Sequence, residues 1–261
     1  FRKEGDDYIA LTRSNAVGKV WRAMQNVDAM AFLDELTDNH EAKIEVAGAL
    51  GNGERVWILA KLPHSIVING ADVVDQYILV VNNHDGKGSV KVFLTPIRVV
   101  CANTLTMALQ SKQGGYNIRH TNKMHSKVEE AKKVLGFVNK DFIAWGEQAQ
   151  ELVNIKMTAD EMDEYYIDVM DLQFNKEGDL TTRSMNILNE IREYSKDDSN
   201  HVFGMSGTAW SAYNTITGVI DHHFTKLKDG TESKKRMESA LFGPYSRKKQ
   251  KAWNKLMEMA Q

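Results

Sequence analysis

The sequence predicts an α+β fold: an N-terminal helix, an antiparallel sheet of two β-hairpins giving four to five strands, then a helical C-terminal half. Three observations carry this. Near the start, apolar residues recur at spacings of three and four. From Lys43 to Thr121 they form β-branched runs punctuated by Gly, Asn and Pro. From Ser126 the helical spacing returns and persists to the end.

Val17, Val20, Trp21, Met24, Val27, Met30, Phe32 and Leu33 mark the first helix, with Ser14 or Asn15 as its cap. Ile44 and Val46 lead through Gly51-Asn52-Gly53 into Arg55 to Leu62, a hairpin whose turn tolerates positive φ. Pro63 is expected to end that strand. Val73 to Val81, the turn Asn82 to Gly88 and Val90 to Val100 form the second hairpin, and Pro96 marks an edge strand or a bulge. Tyr116 to Thr121 reads as one more strand.

Val128, Ala131, Leu135, Val138, Phe142, Trp145 and Ala149 share one face of a long helix. Further helices are expected over Ala159 to Asp171, Thr181 to Tyr194, Thr208 to His223, Lys234 to Leu241 and Arg247 to Met259. Asn175 to Asp179 and Ser195 to Gly207 are the loops between them. The organisation this implies is an α+β core over 1–155 and a helical region over 156–261.

Bulk properties narrow the function classes. A net charge of -2 means that any nucleic-acid contact must use a local basic patch. One cysteine excludes an internal disulfide framework and a cysteine-based zinc site, and fits a reducing cytosol. No apolar run reaches the roughly 18 residues of a membrane span. The opening FRKEGDDYIALTR lacks a signal-peptide pattern, so a cytoplasmic setting is expected, and it lacks Met, which leaves room for residues upstream.

Charge is also unevenly spread. Asp160, Glu161, Asp163, Glu164, Asp168 and Asp171 make an acidic helix. Lys112, Arg119, Lys123, Lys127, Lys132 and Lys133 form one basic stretch. Lys234, Lys235, Arg236, Arg247, Lys248, Lys249, Lys251 and Lys255 form another in the tail.

Each candidate motif has a structural alternative. Cys101 sits at a strand-to-helix junction where a helix start could lower its pKa, yet a lone cysteine after Val99-Val100 reads as a buried small hydrophobe. Asn103 and Thr104 are good caps; functionally, the N–H groups they introduce could hold an anion together with Arg98 and Arg119. His84-Asp85 could ligate a metal, but the surrounding Asn and Gly are what a hairpin turn requires. Ile118-Arg119-His120-Thr121, followed by Lys123, His125 and Lys127, is the best basic cluster beside the sheet and suggests a phosphate-binding stripe. Trp210 and Tyr213 could stack on bases, although their helical spacing favours core packing. Asp221-His222-His223 reads as a helix end rather than a metal site. No phosphate loop, GxGxxG, HExxH or GxSxG is present, and nothing calls for a cofactor, a metal or catalysis.

Arg98-Val99-Val100-Cys101-Ala102-Asn103-Thr104, with Asn83-His84-Asp85-Gly86 and Leu94-Thr95-Pro96 before it, resembles a phage- and plasmid-borne family long labelled a domain of unknown function. Ile118-Arg119-His120-Thr121 and Gly207-Thr208-Ala209-Trp210 through Asp221-His222 are similar to the same family. The resemblance runs from about residue 8 to the end. The tail is more basic and the start shorter than in fuller members. It implies a mobile-element setting and supplies no catalytic residues.

In architecture alone, a helix, two hairpins and a long helix beside a basic strip are similar to the phage single-strand annealing proteins of the RecT and Red-beta type. That likeness implies a single-stranded DNA-binding recombination protein, acting without ATP as a homo-oligomeric ring or filament, beside a phage exonuclease or a host protein. Arg98, Asn103, Thr104, Arg119, His120, Lys123 and Lys127 would then contact the strand, with Trp210 or Tyr213 stacking. The alternative is a non-enzymatic phage interaction protein, such as an inhibitor of a host defence complex, with the basic tail as its docking surface. A third reading is a metal-dependent hydrolase or nuclease using His84 and Asp85.

Overall fold

In the computed structural model the described residues are 2–11, 17–30, 33, 42–86, 88–98, 116–120, 142–196, 204–224 and 243–260. The fold is α+β, with helices filling the C-terminal half. The chain divides into two compact units. Phe1–His64, Asp75–Thr95 and Leu109–Phe142 belong to one, and Ser65–Val74, Pro96–Ala108 and Ile143–Gln261 to the other.

The chain opens with a hairpin of β1 (Arg2–Glu4) and β2 (Asp7–Ile9), turned at Gly5 with φ 62°. Its strands are almost wholly polar and largely exposed, so no alternating pattern announces them. The first helix starts later than expected. Among the described residues, 26–30 and Leu33 have helical backbone (α1), while 17–25 is not helical. The reason lies in where the backbone hydrogen bonds go. Arg22 N–H donates to His120 O at 3.1 Å, and Met24 O accepts from Asn82 Nδ2 at 3.0 Å. Residues 21–24 are thus strapped to the sheet, and those groups are not available to a helix. Met24, Met30 and Leu33 are buried as the pattern implies, but Val17, Val20 and Val27 stay exposed. Ser14, Asn15 and Phe32 lie outside the described residues.

The main sheet is antiparallel in the order β3 (Lys43–Leu50), β4 (Arg55–Ile68), β5 (Asp72–Asn83), β6 (Val90–Arg98) and β7 (Tyr116–Ile118). Central β5 is buried along almost its whole length, which is why Val73 to Val81 reads as a near-continuous apolar run. β4 continues through Pro63 instead of ending there. β3 pairs β4 only as far as Lys61, so at Pro63 no β3 partner needs its missing N–H. Pro96 follows the same logic: the described pairs of β7 reach β6 only at Val90, Lys91 and Val92. Asn69 and Gly70, at φ 49° and 72°, make the β4–β5 turn, closed by Ala71 N–H donating to Ile68 O.

The second unit is mostly helical and also takes in Ser65–Val74, where β4 ends and β5 begins. Its helices are α2 over 142–154, α3 (Ala159–Met170), α4 (Thr182–Ser195), α5 (Ala209–His222) and α6 (Pro244–Met259). The expected helix over Lys234 to Leu241 and the face from Val128 to Val138 lie outside the described residues. Caps fix the boundaries: Thr158 and Glu161 form a reciprocal capping box on α3, and Thr208 with Ser211 does the same on α5. The core is aromatic. Trp145 stacks on Trp253 at 5.4 Å, and Tyr213 meets Trp253 edge-on at 5.2 Å. Trp210 donates its indole N–H to Asp72 at 2.9 Å. Among the described residues, no helix is long and apolar enough to cross a membrane.

Candidate functional site

The sheet end of the first unit gathers the polar chemistry. β7 leads into Arg119 and His120, β5 ends on Asn82 and Asn83, and the strap 21–26 lies against both. His120 is buried. Its ring stacks on Trp21 with centroids 5.3 Å apart and a 26° tilt, and its Nδ1 meets Arg22 O at 3.2 Å. Asn82 Nδ2 donates to Asn26 Oδ1 at 2.9 Å, and His84 Nε2 lies 2.8 Å from the same oxygen. Burial, together with the neighbouring imidazole, holds His84 below the usual histidine value. Burial lowers His120 as well, against carbonyls at Arg22 and Asn83 that favour its charged form.

Around this buried cluster the rim is cationic. Burial alternates at the strand end, with Ile118 and His120 inside and Arg119 exposed. Lys91 is exposed and pairs with Asn117, two residues before Arg119, which places both cations at one edge of the sheet. Arg22 is exposed too, its guanidinium donating to Trp21 O at 2.9 Å and Lys19 O at 3.1 Å. A half-buried indole thus has a cation folded against its own backbone.

The other expected positions fall differently. Arg98 is the last residue of β6. Cys101, Asn103, Thr104, Lys123, His125 and Lys127 lie outside the described residues. Trp210 and Tyr213 have no exposed surface, and their rings face other aromatic rings, so they form the core and offer no open face to a base. Asp85 accepts from Gly88 N–H at 2.8 Å, a turn contact, while His84 is engaged by Asn26 and Asn82. Among the described residues, no three His, Cys, Asp or Glu side chains gather where they could hold a metal ion. Trp21, Arg22 and Lys91 went unrecognised in the sequence, because Trp21 fits the apolar period of a helix that starts only at residue 26.

Among the described residues of the basic tail, all four lysines are committed within the protein. Lys255 pairs with Asp168 at 2.6 Å, and Lys248 and Lys251 each reach Asp171 at 2.7 Å. Lys248 also donates to Met170 O at 2.8 Å, placing a cation on the carbonyl end of α3. Beside these pairs Arg247, Gln250 and Asn254 line an open groove of about 500 Å³. The acidic helix and the basic tail noted in the sequence are therefore partners of each other.

Residues 14–242 match the family model described as a domain of unknown function, DUF932. The chain belongs to that family. No curated protein and no solved structure gives a significant match. The DUF932 match takes in the cationic sheet edge and helices α2 to α5 and stops before α6, so the family pattern reaches into both compact units.

Proposed function

We propose that this DUF932 chain is a single-stranded DNA-binding protein of a phage or other mobile element, working in the host cytoplasm without ATP as an annealing factor. The observation that carries this reading is the exposed pair Arg119 and Lys91 at the β6–β7 edge, in a protein whose net charge is only -2. Binding a phosphate backbone needs local cations and released counterions, and asks for no nucleophile, metal or nucleotide loop. Phosphate contacts of this kind position a strand without reading its sequence, which suits annealing of arbitrary complements. A homo-oligomer would line successive edges into one track, with an exonuclease or host protein supplying the strand.

The described part of the tail is a poor surface for the rival interaction-protein reading, because Lys248, Lys249, Lys251 and Lys255 are used on Asp171, Asp221 and Asp168. The test is negative-stain imaging of the purified chain with and without a single-stranded oligonucleotide. Rings or filaments that form or lengthen on DNA are expected. A monomer indifferent to DNA at low salt would overturn the proposal.

A further inference from the structure

We propose that Trp21 is the platform on which a base of the bound strand stacks, so that the strap 18–22 forms a nucleobase subsite beside the phosphate-binding edge; this rests on the single-stranded DNA reading above. The chain has five tryptophans. Trp57, Trp145, Trp210 and Trp253 are buried, with exposures of 4% or less. Trp21 alone among the five is only half-buried, although its indole Nε1 lies inside without a hydrogen-bond partner.

The indole is braced for the task. One side is supported by the His120 ring at 5.3 Å, and the backbone on either side is pinned, Trp21 N–H to Gly18 O at 2.9 Å and Arg22 N–H to His120 O at 3.1 Å. A ring held this way loses little further freedom when a base lands on it. Its surroundings complement a polyanion. The Arg22 guanidinium lies against the Trp21 and Lys19 carbonyls, Lys19 is exposed, and Arg119 adjoins His120 in the chain. An aromatic face flanked by cations is the pairing that sequence-tolerant single-strand binders use, because every base has a π-face and every nucleotide a phosphate.

The probe is a twenty-nucleotide oligothymidine and, in parallel, an abasic strand of equal length. Trp21→Phe keeps a ring and Trp21→Leu keeps apolar bulk without one, so both fill the space against His120. For oligothymidine, Leu should weaken affinity about tenfold or more and Phe by a few-fold at most, while the abasic strand should bind all three proteins alike. Oligothymidine should also quench the wild-type tryptophan emission, and Trp21→Phe should abolish that quench. If Leu and Phe bind oligothymidine equally, or if both strands weaken together, Trp21 is not a base platform. If the wild-type protein binds neither strand, the DNA-binding reading itself fails.

Discussion

Lys249 and Asp221 form an ion pair sealed inside the helical unit, Nζ to Oδ1 at 2.5 Å, with side-chain exposures of 2% and 9%. The same helix α6 that turns Lys248, Lys251 and Lys255 toward Asp168 and Asp171 sends this one inward to α5. Burial drives the Lys249 ammonium below the usual lysine value, and the Asp221 carboxylate opposes that drift.

The pair makes α6 energetically lopsided. Lys249→Ala should cost about 3–5 kcal/mol, because it leaves a carboxylate buried without its counter-charge. Replacing both partners, as Lys249→Met with Asp221→Leu, should cost much less. Lys251→Ala should change stability by less than about 1 kcal/mol, since its partners Asp168 and Asp171 are 45% and 60% exposed. Urea denaturation of the four proteins checks the ranking; equal losses for Lys249→Ala and Lys251→Ala would contradict it.

Gly218 sets how closely α4 and α5 approach. A Cβ on Gly218 would fall 2.6 Å from Tyr194 Cζ, in a ring that also meets His223 edge-on at 4.8 Å. Gly218→Ala should therefore destabilise the helical unit by about 1–3 kcal/mol through overpacking, even though alanine is the better helix former. Calorimetry should show a lower melting temperature for Gly218→Ala. An unchanged or raised melting temperature would mean that Tyr194 moves aside freely.

Acid should loosen the strap over the sheet end. His84 and His120 both have folded values lowered from the ordinary 6.5. In the unfolded chain both take up protons as pH falls through about 6.5, while the folded chain resists until its lowered values are reached, so stability declines on acidification. The groups facing them work against this only in part: Asp85 favours protonation of both rings and the Arg22 and Asn83 carbonyls favour that of His120, while the His120 charge disfavours that of His84. Glu161, Asp168 and Asp171 are held below the usual carboxylate range, so their contributions are lost only at lower pH. Between about pH 6.5 and 5 the loss should therefore belong to the two histidines. His120→Phe keeps a ring against Trp21 and should flatten the decline in urea midpoint across that window. A midpoint equally pH-dependent in wild type and variant would place the effect elsewhere.

The parts of the fold that were legible in the sequence are those with a strong local pattern. β5 announced itself because it is buried throughout, and the starts of α3 and α5 because Thr158 and Thr208 cap them. Pro63 misled because a proline stops a strand only where its N–H is needed, and the Asn69-Gly70 signal for the true turn lay six residues on. The strap 21–24 was hidden for a deeper reason. Its apolar residues keep helical spacing, but its backbone partners, His120 and Asn82, are about 60 to 100 residues away in sequence. The same distance hid the candidate site. Arg119 and His120 could be singled out locally, whereas Trp21 and Lys91 join them only through strand pairing and the His120 stack. The mutual use of the acidic helix and the basic tail was likewise invisible until Lys255 and Asp168 met.

The DNA-binding reading stands or falls with the β6–β7 edge as the holder of a DNA backbone. Its most direct test is the salt dependence of oligothymidine binding, followed by fluorescence anisotropy, for wild type and for Arg119→Ala with Lys91→Ala. Each lost phosphate contact should reduce the slope of log K against log salt by about 0.7, so the double variant should bind more weakly with a slope shallower by about 1.4. Unchanged affinity and an unchanged slope would contradict the claim.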